Sequence, residues 1–214
     1  MRKYLLLVAA ALLLAAPAMG LTIQGSAHDL SNTTGGGAAG DIDELCVYCH
    51  SPHGVTASVS APLWNRGMSN ATQIYSGVDI QATYDLTSYN ATDAPLCLSC
   101  HDGASIGGAL TNPPNSGGAL YSPALGADAD LGTNLSNDHP IGFDYAAIDA
   151  GSGAGEDSEI KLITDATAAG VQFFGASSNI MWCSSCHDVH DPANVPFLLV
   201  DNTSSNLCLA CHDK

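Results

Sequence analysis

Basic residues are almost missing from this chain. Its 214 residues include five Lys and Arg against 21 Asp and Glu. Beyond residue 20 only Arg66, Lys161 and Lys214 remain, so three basic residues face 21 acidic ones and the net charge is −18. Such a surface repels polyanions, which excludes nucleic acid and anionic membrane surfaces as partners. Aromatic residues are also scarce, at 6 % of the chain, while Gly, Ala, Ser, Asn and Thr dominate. A chain of this kind buries too little side-chain surface for an ordinary core, so something else must supply the apolar interior. Beyond the N terminus, no apolar run approaches the roughly 20 residues of a membrane span.

The single long apolar run opens the sequence as MRKYLLLVAAALLLAAPAMG. Arg2 and Lys3 form a basic start, Leu5 to Ala16 an apolar core, and Ala18-Met19-Gly20 a small-residue cleavage site. This reads as a secretory signal peptide over residues 1–20, cut after Gly20 or, as second choice, after Ala18. No cysteine follows either site, so no lipid anchor is expected. The expected product is exported. Residues 35–40 (GGGAAG), 103–120 and 150–155 (AGSGAG) read as coil.

What the chain does have is eight cysteines in four C-x-x-C pairs: Cys46/Cys49, Cys97/Cys100, Cys183/Cys186 and Cys208/Cys211. An exported protein defaults to disulfides, and paired cysteines also suit zinc. The next residue decides otherwise. It is His50, His101, His187 and His212, histidine four times out of four. A disulfide has no use for an adjacent imidazole, and structural zinc wants Cys₄ or Cys₂His₂ clusters. C-x-x-C-H is the attachment signature of c-type haem: two thiols add to the vinyl groups and the histidine reaches the iron. One helical turn meets that geometry, and Asp41, Asp93 and Ser204 or Ser205 are suitable N-caps just before their motifs. The expected cofactors are four covalently bound haem c groups.

Four histidines remain: His28, His53, His139 and His190. Four irons with one proximal imidazole each need four more ligands, so supply equals demand. Methionine is a poor rival, because only Met68 and Met181 follow residue 20. His53 lies three residues after His50 and cannot reach round to the far face of the same haem, so it is expected to serve another. CSSCHDVH at 183–190 repeats this doubled arrangement. Residues 28–101 and 139–212 thus carry the same order of motifs in windows of 74 residues. The expected organisation is a signal peptide (1–20), an N-terminal arm with a Gly-rich hinge (21–40), and two dihaem modules in series (41–125 and 126–214). The expected fold class is mostly irregular coil with a few short helices, organised around the four haems.

HDLS at 28–31, CVYCHSPHG with APLWNRG at 61–67, and DHPIGFDY at 138–145 carry a resemblance. The sequence resembles multihaem c-type cytochromes of metal-reducing bacteria, most of all the tetrahaem extracellular filament cytochromes of the OmcE type. The resemblance implies bis-histidine haems stacked through a homopolymer, with one axial ligand able to come from the neighbouring subunit. His28, on its glycine-rich hinge, either crosses to a neighbour's haem or ligates within its own chain.

Saturated irons carry electrons and leave no site for substrate, so the expectation is an electron-transfer protein and not an enzyme. Its partners would be redox proteins or an extracellular electron acceptor. The first alternative is a monomeric periplasmic shuttle; a multihaem reductase needs an open iron, and eight histidines for four haems leave none. Tyr48, Trp64, Phe173, Phe174 and Trp182 either pack on porphyrin faces or form small satellite cores. Arg66 is either a propionate partner or a solvated surface residue. Five N-x-S/T sequons (Asn32, Asn70, Asn90, Asn134 and Asn202) reflect either glycosylation or Ser/Thr richness.

Overall fold

The computed structural model describes residues 23–31, 42, 44–55, 63–69, 71–75, 89–103, 110–114, 125–151 and 157–213. The expected signal peptide, the GGGAAG run, Asp41, and the sequons at Asn32 and Asn70 lie outside them. So do parts of the 103–120 and 150–155 stretches.

Regular structure is sparse, as the composition requires. Three short α-helices are described: α1 (Ala94–His101), α2 (Ile163–Ala168) and α3 (Asn206–Cys211). Four 3₁₀ turns join them, at Cys46–Tyr48, Tyr145–Ala147, Cys183–Ser185 and Thr203–Ser205. No strand forms among the described residues; seven isolated bridges take its place. No described helix is long and apolar enough to cross a membrane.

The expected caps need correction. Asp93 and Ser205 do occupy the N-cap positions of α1 and α3, but neither side chain bonds its own helix. Thr92 Oγ1 accepts from Ala94 N–H at 3.0 Å instead, and Pro95 sits early in α1 where its missing N–H costs nothing. At α3, Asn202 Oδ1 accepts from Leu207 N–H at 3.1 Å, because Ser204 and Ser205 both adopt positive φ. The Asp93 carboxylate is engaged elsewhere.

Two apolar clusters form. The smaller gathers Leu30, Ile42, Tyr48 and Leu110. The larger takes Ala71, Tyr89 and Leu98 from the first expected module, and Leu135, Phe143, Met181 and Ala210 from the second. The spans 41–125 and 126–214 therefore share a core. Buried polar groups tie the coil together where a sheet would otherwise do so. Fully buried Asn65 donates from Nδ2 to the carbonyls of Val47 (2.8 Å) and Asn112 (3.1 Å), and accepts from Asn112 N–H at 2.8 Å. Tyr145 donates its hydroxyl to the Lys161 carbonyl at 2.9 Å. Gly142, in the DHPIGF stretch, has φ +83° and lies so close to Tyr89 that a Cβ would stand 2.9 Å from the tyrosine Cα.

Candidate haem-attachment sites

Each C-x-x-C-H motif folds as a turn closed on its own first cysteine. His50 N–H donates to Cys46 C=O at 2.8 Å, His187 to Cys183 at 3.2 Å and His212 to Cys208 at 2.9 Å; Cys97 to His101 lies within α1. All eight cysteines are free thiols, so no disulfide framework competes for them. Each motif is then pinned by a distant segment. Ser51 N–H donates to Leu63 C=O at 2.9 Å and Asn65 N–H to Cys49 C=O at 2.8 Å. The same bracket recurs after the third motif, where Asp188 N–H donates to Phe197 C=O at 2.8 Å and Leu199 N–H to Cys186 C=O at 2.9 Å. Leu63 and Phe197 even share a left-handed φ, +57° and +62°. The repeat seen as letters is a repeat in space.

The histidines fall into pairs. Ring centres lie 6.1 Å apart for His28 and His101, 6.2 Å for His50 and His190, and 6.4 Å for His139 and His212. Imidazole nitrogens bind first-row metals at about 2.0–2.1 Å, and conjugated C–N bonds of about 1.33 Å set each nitrogen about 1.1 Å from its ring centre. Two imidazoles on opposite sides of one iron therefore have centres about 6.3 Å apart. All three pairs meet that spacing. His53 and His187 are both exposed and have no ring partner among the described residues.

Protonation suits ligation as well. Nδ1 of His101 faces Ala129 C=O at 2.6 Å, that of His187 faces Pro196 C=O at 3.0 Å, and that of His139 faces Pro140 C=O at 3.0 Å. A carbonyl only accepts, so Nδ1 carries the proton and the lone pair stays on Nε2, the usual arrangement of a metal-binding imidazole. Burial, and then His101, His187 and His190 beside it, lower the His28 pKa to about 4. His28 is thus neutral near pH 7. Its Nδ1 is buried without a hydrogen bond, and its ring stacks on Phe197 at 4.5 Å. The N-terminal segment folds back, and His28 meets a histidine of its own chain.

The thiols show how the motifs are ordered. Burial and then Cys100 push the Cys49 thiol up to about 11, while Arg66 acts the other way. Cys183 is raised well above its ordinary value, first by its hydrogen bond with Cys97 and then by burial. Burial and then Cys211 push Cys186 up to about 11. First motif neighbours second, second neighbours third, and third neighbours fourth. Among the described residues the one group able to grip a small metal ion is Asp93, Cys97 and Cys183, with ligand atoms within 4.8 Å of one another. It draws its two thiols from different motifs.

Arg66 is buried, not solvated, and lies near the thiols of Cys49 and Cys100. Tyr48 is buried in the smaller cluster, Trp64 meets His50 edge-on at 6.0 Å, and Phe174 stacks on Trp182 at 4.8 Å. Phe173 packs on Tyr145 at 4.7 Å. Two participants carry no signal in the sequence: Phe197, the platform for His28, and Asp93 in its role across motifs. Both act over distances along the chain that no local pattern spans.

Residues 177–214 match the family described as the doubled CXXCH motif, which takes in the third and fourth motifs. No curated protein matches the chain. Motifs of this kind attach haem c covalently through their cysteines, so the match supports haem c attachment at Cys183–His187 and Cys208–His212.

Proposed function

We propose that this chain is a tetrahaem electron carrier whose irons are all held by two histidines. The observation that carries the reading is the 6.1–6.4 Å spacing of three histidine pairs. Each haem, when bound, supplies a one-electron ferric/ferrous couple. The residues do the rest. Cys46/Cys49, Cys97/Cys100, Cys183/Cys186 and Cys208/Cys211 attach the four groups, with His50, His101, His187 and His212 as proximal ligands. His190 serves the first site, His28 the second and His139 the fourth. If His53 of a second copy completes the third site, every iron would be held by two histidines and no site for substrate would remain, which is why the reading is an electron carrier and not an enzyme. The neighbouring thiols support a single file of four sites in sequence order.

The finer part of the proposal is that the chain is an exported subunit of a conducting filament, as in the cytochromes it resembles. Two features support it. Cys49 relates to Cys100 as Cys186 does to Cys211, and Cys97 joins the halves through Cys183. The next contact in that series pairs Cys208 with Cys46 of another copy, and both are exposed. Likewise His50 takes its partner from the following half, at His190. The same step applied to His187 calls for His53 of a second copy. A head-to-tail contact of this type builds an open filament where its rotation does not close a ring. The crossing ligand is then His53, with His28 kept within the chain.

A monomeric periplasmic shuttle is the second reading, favoured by the intrachain pairing of His28 with His101. Imaging the exported holoprotein, with intact mass and electron paramagnetic resonance, separates the two. The filament reading expects four haem adducts per chain, thin polymers, and in dispersed subunits one high-spin haem in four that disappears on assembly. Monodisperse particles with four low-spin haems establish the shuttle. A high-spin haem that persists in polymers overturns bis-histidine ligation.

A further inference from the structure

Asp93 stands at the start of α1, yet its carboxylate turns to another motif 90 residues away. Oδ1 accepts from Cys183 N–H at 2.9 Å, Oδ2 accepts from Ser184 N–H at 2.8 Å, and the Ser184 hydroxyl adds a short third bond. The residue is buried, at 7 % exposure. Burying a carboxylate is costly without hydrogen bonds, and three donors from one turn meet that need. The result is a clamp between the second and third motifs. Cys97, one turn into α1, and Cys183, first in its 3₁₀ turn, bring their sulfurs within 4.8 Å of each other and of an Asp93 oxygen. The equivalent position, four residues before the first cysteine, is Ile42, Asn179 and Ser204 in the other motifs. Only this junction carries a charge there.

We propose that Asp93 is a positioning and tuning residue for the second and third haems: its hydrogen bonds fix their attachment turns together, and its negative charge lowers both of their reduction potentials. This rests on the haem reading above. A buried negative charge stabilises the more positive ferric state, and charge and burial are among the protein's main means of setting a haem potential. The first and fourth attachment turns lie on the far sides of this junction, beside other charged groups: Lys161 near Cys211, and Arg66 near Cys49 and also near Cys100, so the second haem would feel Arg66 as well as Asp93.

The test is a spectroelectrochemical titration of the haem-loaded D93N protein beside the unsubstituted one, with intact mass to count haems. Asparagine keeps the shape and removes the charge. Two of four potentials should rise, each by the equivalent of on the order of a tenfold change in its oxidised-to-reduced ratio at fixed potential, with the other two unmoved. Four haems with four unchanged potentials would overturn the proposal, leaving Asp93 as a structural cap. If D93N loads fewer than four haems, Ser184→Ala decides. It keeps the charge but removes one donor, so the same two potentials should fall, and unchanged potentials again overturn the idea. Fewer than four haems in the unsubstituted protein would instead defeat the haem reading itself.

Discussion

At the scale of single residues, the histidine pairs differ in one respect that their spacing hides. The rings of His50 and His190 are 15° from parallel, whereas those of His28 and His101 cross at 84° and those of His139 and His212 at 74°. Parallel imidazoles split the iron d orbitals that they overlap and give a rhombic low-spin resonance; crossed ones leave them nearly degenerate and give a signal with one very large g value. His190→Ala should therefore remove a rhombic signal, although His190 lies beside the third motif in sequence. His28→Ala and His139→Ala should each remove a large-g signal. Electron paramagnetic resonance of the three variants checks the assignment, and loss of a large-g signal in His190→Ala would break it.

Elements here are pinned turns more than helices or strands, and close approach holds them. Gly142 illustrates this, because its positive φ and the Tyr89 Cα at 2.9 Å from any Cβ leave room for no side chain. Its N–H also donates to Met181 C=O at 2.7 Å, which ties the stretch before the 3₁₀ turn at Tyr145 to the approach to the third motif. Gly142→Ala adds strain at both points and should cost about 1–3 kcal/mol. Urea unfolding of the haem-loaded variant, followed by circular dichroism, measures this. An unchanged midpoint would mean that the Tyr89 segment yields freely. The brackets at Leu63–Asn65 and Phe197–Leu199 work alike: each folds a chain return against a histidine and spares the protein a sheet.

At the scale of the whole molecule, the described residues are held by two modest apolar clusters and by turns that converge on thiols and imidazoles. A chain poor in large apolar residues gains little from burying them, while fixing each residue's backbone costs about 1–2 kcal/mol. If haem attachment supplies the missing apolar interior, binding energy becomes folding energy, as in small metal-dependent domains. Replacing all eight cysteines by serine should abolish cooperative thermal unfolding and leave a chain with little fixed structure. Scanning calorimetry beside the haem-loaded protein would show it. A sharp transition in the haem-free chain would mean that the side chains alone make the core.

The sequence by itself determined which chemistry its motifs are suited to. Attachment by two thiols and ligation by the next imidazole are local demands, met within one turn, so Cys46 to His50 and its three counterparts are legible as letters. The sparse secondary structure was legible too, since glycine, serine and acidic residues favour neither a helix face nor a strand face. The joining of distant parts was not legible. That His50 meets His190, that Asp93 serves Cys183 and Ser184 in place of its own helix, and that the two halves share a core depend on contacts between segments far apart along the chain. The Asp93 cap was missed for the same reason: Asp93 could bond its own helix, but a neighbouring turn offered three donors. Spacing along the chain fixes what a motif can bind, and only the packing of one motif on another fixes which partner it meets.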